Sequence, residues 1–241
     1  AGALDELRLA GVTRLLVLPL FPQYAGSTTG STFDALGRAL SRWRWVPELR
    51  FVNGYHDHPA YVEAVARSIE HHRARHGSGE ILLLSFHGLP KRYLLSGDPY
   101  FCQCQATARL IAERLRLGKD DWRIVFQSRF GREEWLQPYT DETLKQLAAD
   151  GVRRVDIVCP GFSADCVETL EEIAIEAAAT FKEAGGESLS YVPALNADPD
   201  HINLVTSLIR DQIDDWRQSA RADRAELERR QQRAMALGAS R

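Results

Sequence analysis

Several things are scarce in this chain of 241 residues, and each scarcity removes a class of function. No apolar run comes near the roughly 20 residues that a membrane-spanning helix requires. The opening stretch, AGALDELRLAGV, is short, acidic and amphipathic, unlike the basic and then apolar pattern of a secretory signal. Basic excess is missing too. With a formal net charge of −3 and a sequence pI of about 6.2, the chain as a whole carries no electrostatic footprint for nucleic acid. Cysteine is sparse: Cys102, Cys104, Cys159 and Cys166 match no paired zinc template. So few unpaired thiols suit a reducing cytosol better than a disulfide scaffold. Phosphate-cradling signatures are absent as well, since there is no GxGxxG and no P-loop lysine.

What remains is an ordinary globular composition, long enough for one large domain or two modest ones. Short apolar runs over 14–20, 49–54, 80–86, 123–128, 153–159 and 188–192 read as strands. Helical patterns fill the gaps at 33–43, 60–75, 107–117, 141–149 and 164–184, with 1–9 before them and 200 to about 216 after. In the second of these, Val62, Val65, Ala66 and Ile69 recur near the helical period. Such alternation argues for an α/β fold with parallel sheets flanked by helices. The polar seam HHRARHGSGE sets a boundary near Gly77. Residues 1–77 then form a first domain, joined by the helix at about 200–224, and 78–199 form a second. The arginine-rich stretch 225–241 is poor in large apolar residues; it either extends the last helix as a solvated face or is disordered, with disorder the default. Because the chain opens in the middle of an α/β unit, the first units of a longer protein are expected to be absent from it.

Three segments carry more chemistry than a sheet needs. In PLFPQYAGSTTGST a strand ends in a Pro-rich turn and leads into a helix, with Ser31 and Asp34 placed like a capping box. Either its N–H groups and Tyr24 meet a ligand, or it is only a polar helix entry. In ILLLSFHGLP an apolar strand places His87 at its carboxyl end, the position where open α/β sheets bind ligands; a structural loop histidine is the competing reading. In PGFSADCVETLEEIAIE, Ser163 can cap a helix on which Glu168, Glu172 and Glu176 recur every four residues, with Asp165 a turn earlier. Like charges at that spacing destabilise a helix, so the row needs either solvent or a cation that its hard oxygens can hold or relay.

The runs PQYAGSTTGST, YHDHPAYVEAVARSI, SFHGLPKRYLLSGDPY, VFQSRFGREEWLQPYTDETL and GFSADCVETLEEIAIE, in that order, resemble ferrochelatase, the enzyme that inserts ferrous iron into a porphyrin. The resemblance implies two similar Rossmann-like, chelatase-type domains with a porphyrin cleft between them, the N-terminal one incomplete here. It implies that His87 abstracts protons or contacts the metal, that Glu168 faces it across the cleft, and that Glu172 and Glu176 continue a metal or proton path. It further implies a π-type widening of that glutamate helix.

Tyr24 and Trp135 would offer flat surface to the macrocycle, with Ser128 and Arg129 at a strand end where the arginine meets a propionate or forms a structural ion pair. His56, Asp57 and His58 are read as turn and cap residues before Pro59. Cys166 stands where some relatives have histidine, and the family's [2Fe–2S] cluster is not expected, because no cysteine follows Cys166. No cofactor is expected to be permanently bound, iron being a substrate. The partners are then protoporphyrin IX and ferrous iron, with no nucleic acid, in a cytoplasmic protein whose peripheral membrane contact stays open. The rival readings are a sirohydrochlorin-type cobalt or iron chelatase, a fragment that binds porphyrin or metal without turnover, and a sugar- or nucleotide-binding domain.

Overall fold

The computed structural model describes residues 2–239 and, for 218–225 within its last helix, the backbone alone. β1 (Arg14–Val17) and β2 (Glu48–Phe51) pair in parallel as a two-stranded sheet. β3 (Ile81–His87), β4 (Trp122–Gln127), β5 (Arg154–Val158) and β6 (Ser188–Val192) form a second parallel sheet in the order β4-β3-β5-β6. The helices are α1 (Gly2–Leu9), α2 (Ser31–Leu40), α3 (Pro59–His76), α4 (Lys91–Leu95), α5 (Tyr100–Arg114), α6 (Thr140–Ala149), α7 (Val167–Leu170), α8 (Ala178–Glu183) and α9 (Pro199–Ala236). Two π turns, Gly26–Gly30 and Glu172–Ala177, precede α2 and α8.

Both faces of the larger sheet are covered, and this is why β3 is apolar almost throughout. Leu82, Leu84 and Phe86 face a core shared with α3, α5 and the start of α9, while Ile81 and Leu83 face the side of α6 and α8. α3 starts on Pro59 with the His58 Nδ1 accepting from the Ala60 N–H at 3.2 Å, so the HDH cluster does cap a helix. Its Tyr61, Val62, Val65 and Ile69 pack into the core of the four-stranded sheet beside Leu204 and Leu208 of α9. The seam at Gly77 thus separates the two sheets along the chain, but α3 belongs by packing to the second. Arg73, near the end of α3, pairs at 2.7 Å with Asp156 of β5, which is 1% exposed.

Some boundaries differ from the sequence reading for local reasons. Ser31 caps nothing: the chain is already helical before it, and its hydroxyl donates to the Ser27 and Thr28 carbonyls. α5 begins at Tyr100, not Thr107, because Tyr100 and Cys104 supply the buried first turns of its apolar face. The helix expected over 164–184 is interrupted by the second π turn and starts only at Val167. Ser163 is not its cap, since its hydroxyl donates to the Leu20 carbonyl at 2.8 Å. α9 runs twenty residues past Trp216, to Ala236, so the stretch from 225 is helical as far as that residue, with Glu226 accepting from Arg229, Arg230 and Arg233. Ala1, Ser240 and Arg241, to which the first-helix and tail expectations also extended, lie outside the described residues. Among the described residues no helix is long and apolar enough to cross a membrane.

Candidate active site

β3 delivers His87 to its carboxyl end, beside Gln127, its register partner at the end of β4. The imidazole Nδ1 lies 2.7 Å from the Gly88 carbonyl oxygen. A carbonyl can only accept, so Nδ1 carries a proton, and in the neutral ring Nε2 is the nitrogen with the free lone pair. The main chain there is fixed from two sides. Tyr100 donates its hydroxyl to the His87 carbonyl at 3.0 Å, and the Gly88 N–H donates to the Gln127 carbonyl at 2.7 Å. Burial pushes the Tyr100 phenol far above its ordinary range, so it stays a hydroxyl. A side chain at position 88 would not fit: a Cβ would fall 2.7 Å from the Gln127 oxygen and 3.1 Å from the Trp135 ring.

The second half of the site comes from the turn after β5. Asp165 anchors this turn, accepting from Tyr191 Oη (2.6 Å), Asn196 Nδ2 (2.8 Å), Thr169 Oγ1 (3.1 Å) and the Ala194 N–H (3.2 Å). It is therefore a structural knot and no member of an acidic row. Burial acts to raise its carboxyl, yet these donors hold it below the ordinary value. Cys166 then caps α7 in a capping box with Thr169, and Glu168 sits in the first turn. A hydrogen bond from the Cys166 thiol, then one from its own N–H, and the neighbouring His87 hold the Glu168 carboxyl below its ordinary range. Burial and Glu168 push the Cys166 thiol up. Glu168 thus remains an anion near neutrality, with His87 close enough to influence it.

Glu172 does not stand free in a file. Its carboxylate accepts from the Ser128 N–H and hydroxyl, both at 2.5 Å, and from Gln127 Nε2 at 3.5 Å. Ser128 reaches it from a left-handed backbone conformation, φ 63°, a region that non-glycine residues seldom adopt. Glu172 and exposed Glu176 line a cavity of about 220 Å³ with Ser128, Arg129, Thr140 and Asp141. Glu168 is outside it.

The remaining expected contacts are scattered. Arg129 pairs at 2.9 Å with both Asp141 and Glu142 and lies 3.9 Å over the Tyr139 ring, which is the structural ion pair of the two readings. Trp135 is only 4% exposed and packs beneath Phe130, centroid to centroid 4.7 Å. It has no open face for a macrocycle; Phe130, 74% exposed, has one. Tyr24 lines a separate cavity of about 800 Å³ with Phe33, Asp34, Asn53, His56 and Gln103. Among the described residues no three histidine, cysteine, aspartate or glutamate side chains converge as a metal-holding group.

The structure therefore joins His87 and the main chain of Glu168 through Gln127, and groups Ser128 with Glu172 and Glu176, while Tyr24 lines a separate cavity. A family model described as Ferrochelatase matches residues 1–213. The chain belongs to the ferrochelatase family. It is 57% identical to the ferrochelatase of Nitrosococcus oceani over 98% of this chain and 66% of the relative. Against the ferrochelatase of Marinobacter nauticus it is 58% identical, over 88% of this chain and 58% of the relative. The chain thus spans about two thirds or less of the length of these curated ferrochelatases. Among solved structures it is similar to SirB from Bacillus subtilis with Fe3+, with a TM-score of 0.60 and 16% identity over 86% of this chain and 75% of that one. It is also similar to CbiX, the terminal enzyme for biosynthesis of siroheme in denitrifying bacteria, with a TM-score of 0.55 and 17% identity over 83% of this chain and 76% of that one. At such identities these likenesses establish the chelatase-type fold alone. The π widening expected from the ferrochelatase resemblance is present at Glu172–Ala177.

Sequence reasoning missed Gln127, Tyr100 and the closure of Glu172 on Ser128. A signal for the first was available: IVFQ ends a buried strand in an amide, and a buried amide needs partners.

Proposed function

We propose that the chain catalyses the insertion of ferrous iron into protoporphyrin IX, yielding protoheme and two protons. The single observation that carries this is geometric: His87, its Nδ1 bonded to the Gly88 carbonyl, ends β3 beside Gln127 of β4, and the Gln127 amide holds the main chain of Glu168 next to it. The porphyrin must lose two pyrrole protons, and its nitrogens must exchange them for a cation that sheds its water. His87 Nε2 takes the two pyrrole protons one after the other, passing the first to solvent before it accepts the second; the Gly88 carbonyl stabilises the imidazolium formed each time. Glu168, held ionised, is a poor proton acceptor near neutrality. It serves as the anionic oxygen ligand that draws the cation toward the ring, consistent with the mixed nitrogen and oxygen ligands that iron(II) accepts. Glu176, exposed, is the remaining carboxylate of the path; Glu172 takes part only by leaving Ser128.

Porphyrin and ferrous iron are the substrates on this reading, in a cytoplasmic protein with peripheral membrane contact open. The test is anaerobic incubation with protoporphyrin IX and Fe2+, or Zn2+ as surrogate, followed by visible absorption. Metalloporphyrin formed by the chain and lost in both His87→Ala and Glu168→Ala supports the reading. An inert chain that stays inert after extension to the relatives' full length sinks it.

A further inference from the structure

Gln127 is 3% exposed and follows Ile124, Val125 and Phe126 in β4, where an apolar side chain would continue the buried strand. Burying a primary amide is costly unless its hydrogen-bonding groups are matched. Here they are matched in a particular way. The side-chain Oε1 accepts from the Ser85 hydroxyl at 2.8 Å and from the Cys159 thiol at 3.4 Å, which ties the amide to the ends of β3 and β5. Nε2 donates to the main-chain carbonyl of Glu168 at 2.7 Å, and more weakly to Glu172. The backbone carbonyl of the same residue accepts from the Gly88 N–H at 2.7 Å, and Gly88 is the residue whose own carbonyl holds the His87 tautomer. One residue is thus bonded to the main chain on both sides of the candidate site: to the segment that orients the imidazole and to the helical turn that carries the carboxylate.

We propose that Gln127 is a positioning residue that sets the separation of His87 from Glu168 by clamping the Glu168 carbonyl to the end of β4. This rests on the proposed function for its catalytic consequence, but not for the placement itself. Gln127 touches neither the ring nor the metal in this scheme. It acts through the geometry of two groups that do, and small displacements of reacting groups cost large factors in rate. The Nε2 bond is the part that matters. The accepting role of Oε1 could be filled by any other oxygen at that place, whereas the Glu168 carbonyl ahead of the π turn needs a donor from the sheet.

The experiment compares wild type with Gln127→Leu, which removes the amide, and Gln127→Glu, which keeps the volume and the acceptor but withdraws the donor. If the leucine variant does not fold, the glutamate variant alone decides. Turnover and KM for porphyrin are measured with Zn2+, and backbone amide exchange and His87 imidazole resonances are followed by NMR on the same proteins. The expected result is a fall in kcat of roughly 10- to 100-fold with KM nearly unchanged. Amide exchange should quicken at Glu168 to Ile173 and at Gly88, and the imidazole resonances should shift. Unchanged kcat in folded variants, or exchange that quickens uniformly over the whole chain, overturns the proposal, since a merely structural amide would do no more. If the wild type itself forms no metalloporphyrin, it is the proposed function that fails. The exchange and imidazole readouts then decide the placement by themselves.

Discussion

His87 Nδ1 lies 2.7 Å from the carbonyl oxygen of Gly88, its immediate neighbour, so that in the neutral, half-buried ring at the end of β3 the free lone pair is on Nε2. His87→Ala is expected to lower metalloporphyrin formation by about 10²- to 10⁴-fold, the range for loss of a general base. Circular dichroism should be unchanged, because the ring's hydrogen bond is to the adjacent residue. Turnover equal to that of the wild type would remove the imidazole from the chemistry.

Gly88→Ala should harm stability and turnover together. The added methyl meets the Gln127 carbonyl at 2.7 Å and the Trp135 ring at 3.1 Å, and neither is the loose end of a flexible side chain. Overpacking of this kind costs about 1–3 kcal/mol. Any relief moves the carbonyl on which the His87 tautomer depends. A denaturant midpoint and a Zn2+ insertion rate on the same preparation check both halves; a loss of one without the other contradicts the coupling.

Arg73→Met should separate stability from turnover. It leaves Asp156 buried, and breaking one side of a buried pair costs about 3–5 kcal/mol. Asp156 is registered opposite Leu82, five residues before His87 on β3, at the far end of the strands from the site. Urea unfolding is expected to shift strongly while the folded fraction keeps its kcat. A depressed kcat at temperatures where the variant is fully folded would show a connection through the sheet that the geometry does not contain.

Asp165 makes stability depend on pH in a defined direction. Its folded-state carboxyl titrates below the ordinary value of 3.8, so the unfolded chain binds the proton more readily. The stabilisation is fully present above the ordinary value and is lost as pH falls from there through the lower folded-state value. Denaturant unfolding between neutrality and acid pH should therefore show a shallower acid loss in Asp165→Ala than in the wild type, from a lower starting stability. Parallel pH profiles for the two proteins would mean that the four donors around Asp165 do not distinguish its charged form.

The strand content was legible because the central strands β3 and β5 are largely buried runs, and burial on both faces of a parallel sheet leaves a continuous apolar signature. His87 was legible for the same reason: it is the first half-exposed residue after six buried ones. The helix that carries Glu168 was harder. Its repeat of four predicts one acidic face, but the π turn at Glu172–Ala177 alters the residue count per turn, and Ser128 takes Glu172. Nothing in the local pattern encodes that, since the partner lies 44 positions away. Trp135 was misjudged because an aromatic in a polar loop reads as an exposed surface, whereas Gly88 opens a slot that buries it. The length of α9 was missed because its last turns are held by arginine bonds to Glu226 rather than by an apolar face.

The position of α3 bears on how this chain can be recombined with its relatives. The helix lies before the polar seam at Gly77, yet Tyr61, Val62, Val65 and Ile69 form part of the wall of the second sheet's core. A chimera joined at Gly77 would set one parent's helix against the other parent's sheet, with every mismatch in volume falling inside that core. A crossover placed just ahead of Pro59, where the His58 cap begins the helix, keeps the interdigitating side chains from a single parent. The unit of inheritance that packing defines in this family member starts at the helix, eighteen residues upstream of where the charge pattern draws its line.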